Sequence, residues 1–225
     1  MCVLCSLVQP VCFASAYYYD VVCRDGGEIL LVAFRLSEVK LFSLYFQDRV
    51  YLAPRLFEHP PLFAVNGGYF LIQGRRGLPV GWLKTGAAVL GSLNKKYPLF
   101  YCQGGKAGIT RDYDWFKKKS GDMELFLQCG PALVWDGRIN RSLSSAKAER
   151  SAVGVTRDNR VVFLLTNNVH ISLRDAAQYL KDQGCSRAIN LDGGCSSQGF
   201  LCADEVIWQS KGCFKIPVIL VVEHK

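Results

Sequence analysis

Between Val161 and Gly194 the chain reads as a strand, a helix, a second strand and a tight turn, and no other stretch restricts the fold as strongly. Val161-Val162-Phe163-Leu164-Leu165 is wholly apolar, as a fully buried strand requires. Ser172 is a good N-cap, with Asp175 three residues later in the first turn. Leu173, Ala176, Ala177 and Leu180 fall at i, i+3, i+4 and i+7, one face of a helix, and Gly184 suits its C-terminal stop. Ala188-Ile189-Asn190-Leu191 then forms a short strand that ends at Asp192-Gly193-Gly194. Such a crossover normally joins parallel strands of one sheet. The expected fold class is therefore α+β, a mixed β-sheet core with the strand–helix–strand crossover near residues 160–192. Strands at 205–208 and 214–222 close it in antiparallel fashion, and Pro217 points to an edge position. On this reading Asn167 and Asp192 emerge near each other, at the strand ends where open sheets bind ligands.

Upstream, residues 28–36 and 39–46 read as strands, and Leu62-Phe63-Ala64-Val65 is an apolar run that stops at Asn66-Gly67-Gly68. Residues 74–81 hold Gly74, Gly77, Pro79 and Gly81, which predicts a mobile loop. Further strands are expected at 87–90, 97–102 and 124–128. Ala132 to Trp135 should form another, with a hairpin turn at Asp136-Gly137 before Arg138-Ile139. A chain of 225 residues is long enough for one well-buried domain, placed at 17–225. With 50% hydrophobic and 20% charged residues it is not a disordered chain. No apolar run approaches the roughly eighteen residues of a membrane span.

The net charge is +8, gathered in Arg75-Arg76, Lys95-Lys96 and Lys117-Lys118-Lys119. A basic surface attracts phosphate and anionic glycans, but no nucleic-acid motif accompanies it. Met1 to Ala16 is uncharged, mostly apolar and ends Ala14-Ser15-Ala16. It reads as a secretory signal segment with cleavage before Tyr17, although no Lys or Arg stands at its start. The expected location is secreted or periplasmic. Of ten cysteines, Cys23, Cys102, Cys129, Cys185, Cys195, Cys202 and Cys213 follow that segment. Exported chains use cysteines as disulfides, and an odd number leaves one unpaired. His59, His170 and His224 are scattered and sit in no zinc signature. No cofactor and no metal are expected from them. Asp192 and Asn66 are oxygen ligands of a kind that a divalent cation accepts, but two such groups do not define a site.

Two double-glycine turns follow apolar strands: Asn66-Gly67-Gly68-Tyr69-Phe70 and Asn190-Leu191-Asp192-Gly193-Gly194. Paired glycines let backbone N–H groups approach a ligand or let the chain take positive φ. Read alone, each is a tight turn with a capping Asn or Asp; two of the same form in one chain suggest a site. Arg150, before Ser151-Ala152-Val153-Gly154, enters the sheet and needs an anion, either Asp192 or a substrate phosphate.

These segments, together with Gly130-Pro131-Ala132-Leu133-Val134, resemble the phosphodiester glycosidase family in order and approximate spacing, from about residue 60 to the C-terminus. The resemblance implies hydrolysis of a sugar-1-phosphodiester between the anomeric carbon and phosphate, with a sugar-phosphate or a cell-surface polysaccharide as substrate partner. A phosphodiester leaves as a stable anion, so acid assistance matters less than in an ordinary glycosidase. Asp192 is then base or nucleophile, Arg150 the phosphate clamp, and Asn66 a catalytic positioner. Gly67, Gly68, Tyr69, Asn167, Gly193, Gly194 and Ser196 bind substrate. Two positions depart from the family pattern. Asn167-Asn168 stand where members commonly read Asp-Gly, and Cys195 replaces a third glycine, with Cys202 or Cys185 as candidate disulfide partners. Asn167 and Cys195 favour a non-catalytic glycan-binding protein as the second reading. A third takes Cys195 or Ser196 as nucleophile with His170 as base.

Overall fold

The computed structural model describes residues 16–203 and 205–225; the segment read as a secretory signal lies outside them, apart from Ala16. In chain order the first strands are β1 (Tyr17–Arg24), β2 (Gly27–Arg35), β3 (Val39–Val50), β4 (Phe63–Asn66), β5 (Phe70–Gln73), β6 (Arg76–Pro79), β7 (Leu83–Thr85) and β8 (Ala88–Leu90). Next come β9 (Leu99–Gln103), β10 (Lys106–Thr110), helix α1 (Tyr113–Lys119), β11 (Leu125–Gln128), β12 (Ala132–Trp135), β13 (Arg138–Ile139), β14 (Ser151–Thr156) and β15 (Arg160–Asn167). Helix α2 (Leu173–Asp182) leads to β16 (Cys185–Asn190), β17 (Gly199–Cys202), β18 (Val206–Ser210) and β19 (Ile216–His224).

The strands form three sheets, ordered β1-β2-β15-β14-β16-β12-β13, β10-β9-β11-β7-β8 and β18-β17-β4-β19-β3-β6-β5. All pairings between the named strands are antiparallel. The expected mixed sheet is thus corrected to an antiparallel one. β15 and β16 do share a sheet and a direction, but β14 lies between them and pairs antiparallel with both. The fold remains α+β in the broad sense, with strands greatly outnumbering helices.

The first sheet is buried on both faces, which is why its inner strands are apolar without alternation. Leu30, Val32 and Phe34 of β2, with Val161, Phe163 and Leu165 of β15, face a core shared with the third sheet, where they meet Phe63, Val65, Leu220 and Val222. Phe34, Phe63 and Phe163 pack with ring centroids 5.0–6.2 Å apart. Ile29, Leu31 and Ala33, with Val162 and Leu164, face the other way, where α2 covers them with Leu173, Ala176, Ala177 and Leu180. The helix begins as its sequence dictates. The Ser172 hydroxyl accepts from the Asp175 N–H at 3.1 Å, and the Ser172 N–H donates to the Asp175 carboxylate at 2.9 Å, a reciprocal capping box.

Two local expectations fail for identifiable reasons. The stretch at 74–81 is no free loop: β5 and β6 pair as a hairpin around Gly74-Arg75. Gly77 lies flat on Pro217, where a Cβ would come within 2.7 Å. Pro217 is not on an edge strand, because β19 pairs with both β3 and β4. It is tolerated at a register irregularity between Ile216 and Val218, where no ladder N–H is required of it.

Ser172→Ala removes one half of the capping box and should cost about 1 kcal/mol of stability. Urea denaturation checks this, and an unchanged midpoint would mean that burial alone starts α2.

Candidate active site

The two double-glycine turns meet. The Asp192 N–H donates to the Gly67 carbonyl at 3.0 Å, and the Asn66 side-chain amide donates to the Asp192 carbonyl at 2.7 Å. Asn66 is itself fully enclosed, 1% exposed. Its Oδ1 accepts from the Ser151 hydroxyl at 2.6 Å and from the Gln198 N–H at 3.2 Å. Every strong hydrogen-bonding position of its amide group is therefore used inside the protein. Asn66 belongs to the frame of the site and acts on the Asp192 turn through its amide.

The glycines of the first turn serve packing. A Cβ on Gly67 would lie 2.4 Å from Val218 Cγ1, and one on Gly68 3.0 Å from the Gln128 carbonyl. Neither residue has positive φ. The Gly67 N–H is bound to the Val218 carbonyl at 2.8 Å, so it is not an amide held open for an anion. In the second turn Gly194 takes φ +61° and donates to the Glu149 carbonyl at 2.8 Å. Gly193 lies beside Arg150, whose Nη1 is 3.7 Å from where a Cβ would stand.

Asp192 is the partly buried acid of this cluster. Burial raises its carboxyl above the ordinary value, while hydrogen bonds from the Ser196 side chain and the Gly193 backbone pull the other way. Ser196 thus holds the carboxylate. Arg150 is half-buried. Its Nε donates to the Ile171 carbonyl at 3.2 Å and its Nη2 to the Ala146 carbonyl at 2.6 Å. No carboxylate lies within ion-pair distance of it among the described residues. Of the two anions considered for Arg150, Asp192 does not pair with it. Burial lowers the Arg150 pKa, the mark of a cation short of counter-charge. Tyr69 lies within electrostatic reach of both Asp192 and Arg150, and its hydroxyl donates to the Gly130 carbonyl. Burial raises its pKa, so it stays a neutral phenol. Tyr97 packs against it at 5.5 Å.

Asn167 ends β15 on the Arg150 side of the sheet: the N–H of its neighbour Thr166 donates to the Arg150 carbonyl at 3.0 Å, and the Thr166 hydroxyl accepts from the Arg150 N–H at 2.8 Å. Asn167 itself pairs with Glu28, and its carbonyl crowds Gly27. The Asn168 N–H instead donates to the Glu149 carboxylate at 3.0 Å, a residue that the sequence offered no motif to notice. Ser151, Ser197 and Gln198 were also silent. Only the fold reveals that Ser151 and Ser197 hydroxyls meet at 3.2 Å beneath Asn66. The Oδ1 of Asn190 is buried without a hydrogen-bond partner among the described residues, beside the Tyr69 hydroxyl, which its amide nitrogen approaches at 3.3 Å.

Cys195 forms a disulfide with Cys213, across a sequence separation of 18, not with Cys202 or Cys185. It therefore carries no thiol, and the cysteine-nucleophile reading is overturned. Ser196 is buried against Asp192 and His170 is exposed, with no hydrogen bond between them among the described residues. No three His, Cys, Asp or Glu side chains gather as a metal site among the described residues. No helix there is long and apolar enough to cross a membrane.

The phosphodiester glycosidase family model matches residues 61–223. The chain belongs to the phosphodiester glycosidase family. Among solved structures it is similar to the zebrafish N-acetylglucosamine-1-phosphodiester α-N-acetylglucosaminidase catalytic domain auto-inhibited by pro-peptide. The TM-score is 0.68 at 16% identity, covering 93% of this chain and 82% of that one. A hypothetical protein from Synechocystis is similar with a TM-score of 0.59 at 14% identity, covering 93% and 62%. No curated protein matches this chain in sequence. At such identities the structural likeness speaks for the fold.

Two substitutions probe how the site is held. Gly67→Ala forces a methyl into Val218 and should cost about 1–3 kcal/mol, read as a lowered denaturation midpoint. Cys213→Ser opens the covalent loop and should cost about 3 kcal/mol, matched by adding reductant to the native protein. If reductant leaves the native melting temperature in place, the disulfide contributes no stability.

Proposed function

We propose that this protein hydrolyses a sugar-1-phosphodiester at the cluster of Asp192, Arg150 and Tyr69. The observation that carries the reading is the separation of charges: a carboxylate and a guanidinium, both half-buried, lie at one turn without forming an ion pair. A phosphate entering beside Gly193 would give Arg150 its missing counter-charge, and a well-placed guanidinium stabilises the departing phosphate anion. Asp192, made more basic by burial, serves as base or nucleophile toward the anomeric carbon. Ser196 and the Gly193 N–H orient that carboxylate. The Tyr69 phenol, partly buried beside the cluster, offers a polar contact to sugar hydroxyls. The disulfide and the signal-like first segment both suit a protein that works outside the cytoplasm, where glycans of this kind are met.

Asn167 is replaced in this scheme by Glu149. Its carboxylate, held on the Asn168 amide, is the second acidic group at the rim of the site. It is the group to substitute where the family pattern has its aspartate. A binding protein without turnover is the second reading, favoured by the amide at Asn167.

Asp192→Asn should abolish hydrolysis of a sugar-1-phosphodiester by at least about a hundredfold, the scale of a lost general base. The ionised carboxylate is the active form, so native activity should fall as pH drops through a value above the ordinary carboxylate range. The sign for stability is opposite. A carboxyl with a raised folded-state pKa stabilises the fold at low pH and loses that contribution as pH rises through it. At pH 7 the Asp192→Asn substitution should therefore leave the melting temperature equal or higher. Full activity in Asp192→Asn would refute the assignment, and sugar binding without turnover in the native protein would favour the second reading.

A further inference from the structure

A cavity of about 440 Å³ is lined by Tyr51, Leu52, Arg55, Gln198, Lys211 and Gly212 among others. It opens at the same end of the third sheet as the active cluster. Ile216 pairs with Val50, Ile219 with Asn66, and Gly199 with both Val65 and Ser210. The ends of β3, β4 and β18 and the starts of β17 and β19 therefore lie together there.

The cavity wall and the active cluster are mechanically one piece. Gln198 Oε1 accepts from the Leu52 N–H at 2.6 Å, and its Nε2 donates to the Phe214 carbonyl at 2.8 Å. The Gln198 N–H binds Asn66 Oδ1, and the other end of that amide holds the Asp192 carbonyl. Gly212 closes against this side chain, since a Cβ there would stand 2.6 Å from Gln198 Nε2 and 2.7 Å from the Cys195 carbonyl. The Cys195–Cys213 disulfide pins the same loop.

The chemistry of the cavity is one-signed. Arg55 and Lys211 line it, Lys215 sits over the Tyr51 ring at 5.7 Å, and no carboxylate is among its lining residues. Neither Arg55 nor Lys211 forms an ion pair among the described residues. Tyr51 is half exposed and offers a ring face. Concave cationic surfaces concentrate anions.

We propose that this cavity is a second anion subsite, which holds a phosphate borne by the leaving group. The preferred substrate is then a sugar-1-phosphodiester whose leaving group carries a further negative charge. The proposal rests on the hydrolytic reading for the substrate's other half, but the subsite itself does not need turnover.

The test separates the two. Binding of inorganic pyrophosphate is measured by calorimetry for the native protein and for Arg55→Ser, Lys211→Ser and Asp192→Asn. Both exposed cations can be replaced without disturbing the core. Loss of about tenfold in affinity with either cation variant, and none with Asp192→Asn, supports the subsite. Affinity untouched by both cation variants, or no binding at all, overturns it. The second arm compares turnover of a glycosyl diphosphate with that of a methyl glycosyl phosphate. A KM raised about tenfold for the diphosphate alone in the cation variants assigns the anion to the leaving group. An equal rise for both substrates overturns that assignment. Pyrophosphate binding that depends on Arg55, with neither substrate turned over, supports the subsite and retires the hydrolytic reading.

Discussion

The site depends on one buried side chain. Asn66 ends β4, yet its amide reaches β14 through Ser151, the second turn through the Asp192 carbonyl, and the start of β17 through the Gln198 N–H. Strands of two different sheets and the acidic loop are fixed to one another by that group. A carboxylate in its place could not donate to the Asp192 carbonyl, and an aliphatic side chain would leave that carbonyl and the Gln198 N–H without their partner in the interior, where each unmet group costs about 1–3 kcal/mol. The role of the glycines follows. Gly67 and Gly68 are small so that this bracket can sit tight between β11 and β19.

The electrostatics are arranged against simple neutralisation. Arg150 is bound by backbone carbonyls of Ala146 and Ile171, which orient the guanidinium without cancelling its charge. Asp192 is held by Ser196 and a backbone N–H, which likewise orients it and leaves the charge. Burying both ions unpaired is costly. Such cost is found where charge is wanted for a ligand rather than for the fold.

Much of this was legible in the sequence, for physical reasons that can be named. α2 was readable because its cap and its apolar face are local properties of ten residues. Arg150, Asp192 and the two glycine turns were readable because charge and missing side chains at strand ends are uncommon. The mixed sheet was misread because an apolar run reports only two-sided burial, and β15 achieves that in an antiparallel sheet between α2 and the third sheet, with β14 inserted beside β16. Pro217 misled because the register irregularity beside Val218 has no local signature. Asn66 stood out beside its glycines, but only its contacts show that it works through the Asp192 turn, Ser151 and Gln198. The Cys195 partner was a matter of which loop returns, and Glu149 and Gln198 matter through neighbours far away in sequence.

The pairing of β3 with β19 joins residues 39–50 to 216–224, and β2 pairs with β15 over residues 28–35 and 160–167. A growing chain therefore makes its most apolar early strands long before their partners exist. Contacts so distant in sequence are entropically slow to close, and unpaired apolar strands invite association meanwhile. During synthesis the third sheet cannot be completed until residues 216–224 are made, and a chain without them would leave β3 and β4 with open edges.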